Sequence, residues 1–311
     1  MKGNQSSTTE FLLLGFSSHP EQQFLLFFVF LTMYTIILLG NLTIIFIIRM
    51  DSRLHTPMYF FLSLLACVDI CFTSTTMPKL LVDQLSQKKA ISFVVCITQL
   101  FFFHSFGNMD SFMLGIMGFD RYMAIGHPLH YKCVMRKKFC VCLVLLALVV
   151  ATLHSLMYCF LVSRLHFCGS YEIHHYFCDI PPLLKLSCSG TTAIDLLLLT
   201  EGSVIVVTPL LCILISYCRI TLVILKIKSS DGRKKAFSTC FSHLTSTVLF
   251  YGPGLFTYIS PSSVYSFDKD IGISLMYSMV TSMLNPFVYS IRNNDVKEAF
   301  RKARDSTPCH Q

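Results

Sequence analysis

Seven stretches of roughly twenty mainly apolar residues, spaced fairly evenly along 311 residues, constrain this chain more than any other feature. They run from Phe24 to Ile48, Met58 to Leu80, Phe93 to Phe119, Phe139 to Leu161, Leu196 to Leu222, Ala236 to Ile259 and Ile271 to Ile291. A helix needs about 20 such residues to cross the hydrocarbon core. With 53% hydrophobic and 14% charged residues, the chain cannot cover a water-facing surface, and its mean hydropathy is +0.61. The expected fold class is an all-α membrane protein with seven transmembrane helices and no second domain. Residues 1–23 form an extracellular segment, 24–291 the bundle and 292–311 a cytoplasmic tail. In that tail, Val296, Ala299, Phe300 and Ala303 recur at helical spacing opposite Lys297, Arg301, Lys302 and Arg304, which predicts a short amphipathic helix on the membrane surface.

Orientation follows from the basic residues, which favour cytoplasmic loops. The segments after spans 1, 3 and 5 and the tail hold 18 Lys and Arg, whereas the opposite face holds 7. The N-terminus is therefore expected outside and the C-terminus inside a multi-pass plasma-membrane protein. The net charge of +8 then reflects topology and attraction to anionic lipid, not nucleic acid. Asn4 begins an Asn-Gln-Ser glycosylation signal on the outer side. Most of the fourteen cysteines lie in apolar spans and read as small buried hydrophobes. Cys96, Cys168, Cys178 and Cys188 face the oxidising side, where four cysteines allow three pairings.

Polar residues inside the spans are costly and mark function or helix packing. Asn41, Asp69, Asp110, Asn285 and Pro286 occupy four different spans. Two acids brought together at mid-depth share a proton or hold a cation such as sodium, because neighbouring like charges oppose full ionisation. Pro286 removes a helical donor and makes a hinge or a kink. Arg121, beside Asp120 where span 3 meets a basic loop, suits an ionic switch.

These features occur within longer motifs. They are Gly40-Asn41, LHTPMYFFLS from Leu54 to Ser63, MGFDRYMAIGHPLHY from Met117 to Tyr131, Ser216-Tyr217, KAFSTCFSHL from Lys235 to Leu244, and LNPFVYSIRN from Leu284 to Asn293. Together they resemble the olfactory receptors, within the rhodopsin-like (class A) G-protein-coupled receptors, from Asn4 to Arg304. The resemblance implies disulfides Cys96-Cys178 and Cys168-Cys188, and a cation or proton site at Asn41, Asp69, Asp110 and Asn285. It also implies a G-protein switch of Asp120, Arg121, Tyr122, Tyr217, Asn285, Pro286 and Tyr289, in which Asp120 holds Arg121 at rest. The implied ligand site comprises Phe103, His104, Gly107, Asn108, Ile205, Val206, Tyr251, Phe256, Tyr258 and Tyr277. Such a lining suits small, neutral, volatile odorants, with a stimulatory olfactory G protein as partner, rising cyclic AMP as output and no enzymatic cofactor.

The chain departs from the family pattern at Gly118, Phe119, Met123, Gly126 and Ser282. Two glycines weaken a helix by up to roughly 1 kcal/mol each, which predicts a less rigid inner end of span 3. An opsin would need a lysine inside span 7, which has none. An aminergic receptor would place an aspartate at Phe103. A class A receptor for a lipid or peptide is the alternative reading, and a transporter, which would show paired repeats, a more distant one.

Overall fold

The structure, a computed structural model, describes residues 10–16, 19–168, 171–226, 228–259, 267–292 and 294–305. Its long helices are α1 (Pro20–Met50), α2 (Pro57–Ser74) continued by α3 (Met77–Leu85), α4 (Phe93–Gly126) and α6 (Lys137–Ser163). A short α5 (Pro128–Val134) lies between α4 and α6, and α7 (Ile180–Lys185) lies in the long loop that follows α6. Then come α8 (Thr192–Leu197), a π turn at Leu198–Gly202, α9 (Ser203–Leu225), α10 (Ser230–Ile259), α11 (Phe267–Leu275), a second π turn at Met276–Val280, α12 (Thr281–Arg292) and α13 (Asn294–Asp305).

Among the described residues, five helical segments are long and apolar enough to cross a membrane: Pro20–Met50, Pro57–Leu85, Lys137–Ser163, Thr192–Leu225 and Ile271–Ser290. The helices α4 and α10 are also long, at 34 and 30 residues, and carry many of the internal polar groups. They complete the set of seven, with α4 packed against α2, α6, α9 and α10. Large apolar side chains such as Leu25, Leu153 and Ile215 remain more than half exposed on the outside, as a lipid solvent allows.

Local sequence explains where helices start and stop. Thr56 and His127 each precede a proline that opens a helix, α2 and α5 respectively, because proline suits a helix's first turn. Span 2 breaks at Thr75 and Thr76, since Pro78 in the first turn of α3 cannot donate to a continuing helix. Asp51 ends α1 and accepts Arg53 N at 3.0 Å; the Arg53 guanidinium holds this carboxyl down at about 2. Arg53 also pairs with Glu298 at 2.9 Å, tying α13 to the loop after α1.

One end of the bundle carries a three-stranded sheet and is called here the sheet end; the end carrying α5 and α13 is the tail end. The central strand β1 (Glu10–Leu13) pairs antiparallel with β2 (Ala90–Ser92), placing Phe11 opposite Ile91. On its other side it pairs parallel with β3 (Glu172–Ile173), placing Leu13 opposite Ile173. Phe11 and Leu13 alternate with exposed or half-buried neighbours and are fully buried, so part of a segment that reads as polar is a core strand. Gly15 ends the strand at φ 64°, a left-handed turn suited to glycine. Disulfides Cys96–Cys178 and Cys168–Cys188 fix the long loop, with Cα separations of 5.4 and 5.7 Å.

Just after β3, His175 is 3% exposed, stacked on Tyr176 and edge-on to Phe177. Burial holds its imidazole down at about 4 against a usual 6.5. The unfolded chain therefore binds this proton more readily than the folded one, so stability is complete above about pH 6.5 and falls as pH drops towards 4. The full effect is at most about 3 kcal/mol. Thermal unfolding of the purified receptor should shift down by several degrees between pH 7 and pH 5. His175→Phe should lessen that shift; an identical pH profile in this variant would count against the assignment.

Candidate functional site

A proline inside a helix leaves an orphan carbonyl, and hydrocarbon offers no water to satisfy it. Pro286 in α12 deprives the Ser282 carbonyl of its helical donor. Asn41 of α1 donates to that carbonyl at 3.1 Å and to its own Ile37 carbonyl at 3.0 Å. Gly40 permits this approach, because a Cβ there would lie 3.1 Å from Pro286 Cγ. One residue before the proline, Asn285 Nδ2 donates to Asp69 Oδ2 of α2 at 2.9 Å. Asp110 of α4 is near enough for its charge to oppose that of Asp69. Asp110 Oδ1 and Asn285 Oδ1 are buried without a hydrogen-bond partner among the described residues. The donor set is all oxygen and carries two acids, which fits a shared proton or one small hard cation. No group of three or more His, Cys, Asp or Glu suited to a metal occurs among the described residues.

Towards the tail end, Asp120 is 1% exposed and accepts a 2.8 Å hydrogen bond from Tyr131 Oη of α5. The phenol of Tyr131 is pushed up by burial and by that carboxylate, so it stays a donor. The expected ion pair of Asp120 with Arg121 is not formed among the described residues; one oxygen of the carboxylate is taken by Tyr131. Arg121 instead acts on Asp120 through its field, and its charge also reaches Tyr217 and Tyr289. Tyr122 bonds His127 at 2.9 Å.

Tyr217 of α9 lies 3.0 Å from His243 Nδ1 of α10, and His243 Nε2 lies 2.9 Å from the Leu114 carbonyl of α4. A carbonyl only accepts, so Nε2 carries the proton, and in the neutral ring Nδ1 accepts from Tyr217. Three helices are thereby joined at one imidazole that the sequence reading did not single out. Gly118 makes room for it, since a Cβ there would lie 3.3 Å from Ile213 and 3.5 Å from His243 Cε1. Gly126 likewise accommodates the Tyr122 ring, 3.2 Å from a Cβ built there. Both glycines serve close packing, in contrast to the slack expected of them.

At the sheet end, Phe103 is buried among Phe177, Phe72 and Tyr277, with ring centroids 4.3, 4.9 and 6.2 Å away. Gly107 leaves space beside the Phe72 ring, since a Cβ there would lie 3.4 Å from it. His104 bonds its own Leu100 carbonyl at 3.0 Å and reaches Asp179 of the long loop at 3.5 Å, so it braces that loop. Asn108 pairs with His154 of α6 at 3.0 Å, leaving His154 Nε2 buried with no partner among the described residues. Tyr251 of α10 bonds Ser111 Oγ at 2.7 Å, beside Asp110. Gln99 accepts Cys178 N at 2.9 Å and donates to the Thr75 carbonyl at 3.0 Å, joining the disulfide to the break in span 2. Ile205 is half-buried, but Val206 is 42% exposed on the outside of α9. The resemblance alone placed Val206 in the ligand site, and a π turn lies just before α9. The side chains of Phe256 and Tyr258, and the whole of Asn4, lie outside the described residues. A separate crevice of about 700 Å³ opens between α4, α6 and α9 past Phe112 and Ile116, lined also by Tyr122 and Arg219.

The model of the olfactory receptor family matches residues 30–304. The chain is 54% identical over 299 residues to olfactory receptor 1f45 of Rattus norvegicus, covering 96% of each protein. It is 50% identical over 305 residues to olfactory receptor 1L6 of Homo sapiens, covering 98% of this chain and 88% of the relative. Olfactory receptor 1F1 of Homo sapiens is 50% identical over 299 residues, covering 96% of both.

Replacing Asn41 by leucine strands the Ser282 carbonyl in a dry interior, at a cost of about 1–3 kcal/mol. A clear fall in the thermal midpoint of the purified receptor is expected for Asn41→Leu. An unchanged midpoint would contradict the role given to that bond.

Proposed function

The chain belongs to the olfactory receptor family, a non-enzymatic class of odorant receptors with seven membrane-spanning helices coupled to G proteins, and from this premise we propose how its residues divide the work. The sheet end faces outside the plasma membrane and the tail end faces the cytoplasm. Residues 1–23 are extracellular with Asn4 glycosylated, 24–291 form the receptor bundle, and 292–311 form the cytoplasmic tail. The partner is a stimulatory, olfactory-type G protein that raises cyclic AMP.

The odorant binds beneath the sheet, in contact with Phe103, Gly107, Asn108, Ile205, Tyr251 and Tyr277, with Phe256 and Tyr258 contributed by α10. His104 positions the long loop over it, and His154 offers a hydrogen bond through its unpartnered Nε2. Aromatic and aliphatic walls with few directed polar groups favour small neutral molecules, held at about 25 cal/mol per Å² of buried apolar surface. One observation carries this reading: Tyr251 bonds Ser111, the residue after Asp110, and the charge of Asp110 opposes that of Asp69, which Asn285 bonds beside Pro286. A ligand that touches Tyr251 acts on α4 and α10 together, beside the paired acids.

Asp69 and Asp110 hold a proton or a sodium ion in the resting state, with the carbonyl oxygen of Asn285 turned to it. Activation moves the tail end of α10 outward, which breaks the Tyr217–His243–Leu114 link and frees Tyr217 and Tyr289 to engage Arg121. The odorant drives this only by binding the active state more tightly. Arg121→Ala should abolish the cyclic AMP response while surface expression persists; full signalling from this variant would defeat the switch. His104→Ala should reorder potencies across a panel of active volatiles by loosening the loop over the site. An unchanged ranking would remove His104 from any influence on the ligand.

A further inference from the structure

A crevice of about 590 Å³ opens to the outside of the bundle between α1, α12 and α13. On α1 its wall runs from Ile36 to Ile47, and at 1.5 Å per residue that is roughly 16 Å. A hydrocarbon core about 30 Å thick makes this the depth of one leaflet. The two hydroxyls in the wall are committed to their own helices, Thr43 to the Leu39 carbonyl at 2.6 Å and Ser290 to the Phe287 carbonyl at 3.4 Å. The crevice is therefore apolar along its length. Its mouth is different: Lys297 and Arg301, four apart on α13, line the tail end of the same crevice and are exposed. The neighbouring face of α13 is already neutralised, where Glu298 pairs with Arg53 and Lys302.

We propose that this crevice is a binding site for one anionic glycerophospholipid, its acyl chain lying along α1 and its headgroup phosphate on Lys297 and Arg301. An apolar slot of leaflet length ending in two cations matches such a lipid, whereas a peptide would leave its backbone groups unsatisfied there. The crevice borders the contact of Gly40 with Pro286, so an occupied slot rests directly on the α12 kink. Only the choice of leaflet rests on the cytoplasmic placement of the tail proposed above.

The chain contains no tryptophan, so Phe300→Trp places a single indole at the mouth of the crevice. The full-length variant would be reconstituted in phosphatidylcholine vesicles holding a minor fraction of brominated-acyl phosphatidylserine, or the same fraction of brominated-acyl phosphatidylcholine. Quenching by the serine lipid should reach its half-point at a roughly tenfold lower fraction, and K297Q/R301Q should erase the difference. Phe287→Trp, within the wall, repeats the reading should the first variant fold poorly. Equal quenching by both lipids, or a preference that survives in K297Q/R301Q, would overturn the site. Both leaflets present the anionic lipid in these vesicles, so either result is independent of the receptor's orientation.

Discussion

Every backbone polar group in a bilayer must be satisfied by the protein itself, and this bundle is organised around places where its helices fail to do so. Pro286 strips the Ser282 carbonyl of its donor, and Asn41 crosses from α1 to replace it. The break between α2 and α3 leaves the Thr75 carbonyl at a helix end, and Gln99 crosses from α4 to meet it. At the tail end, His243 of α10 reaches the Leu114 carbonyl of α4. The first two bonds repair a helix and tie it to a neighbour, whereas the Leu114 carbonyl lies inside the unbroken α4, so the third serves as a tie alone.

The same ties give the receptor two arrangements to choose between. Asn285 sits beside the kink and holds Asp69, while Asp110 keeps an oxygen with no partner among the described residues. At the tail end one imidazole joins α4, α9 and α10, and no helix there moves far without breaking it. Gly118 and Gly40 set how closely these helices approach, because a Cβ at either would meet a neighbouring helix at 3.1–3.3 Å, while Gly126 makes room for the Tyr122 ring of its own helix.

Much of the fold was legible in the sequence because apolar length is a local property: seven stretches and an amphipathic tail are visible without neighbours. The ends of the spans were less legible. The helix α4 runs to Gly126, and the second span breaks at Thr75, since capping and proline decide those points, not hydropathy. The disulfide pairing came from the family resemblance, because four cysteines alone leave three choices. His154, His243, Gln99 and Tyr131 passed unnoticed, as each matters only through a partner on another helix. An orphan carbonyl is predictable from a proline, yet which side chain repairs it is set by packing. Val206 came from the resemblance alone, and its side chain is 42% exposed on α9.

The central claim is that odorant and G protein together release α10 by breaking the bonds at His243. Ring nitrogen NMR on receptor labelled with ¹⁵N-histidine, with the signal assigned through His243→Gln, reads this directly. Without odorant the ring should show a protonated, hydrogen-bonded Nε2 and an Nδ1 that accepts from Tyr217. With an active odorant and G protein bound, both nitrogens should change environment. The same pair of signals in both states would contradict the claim.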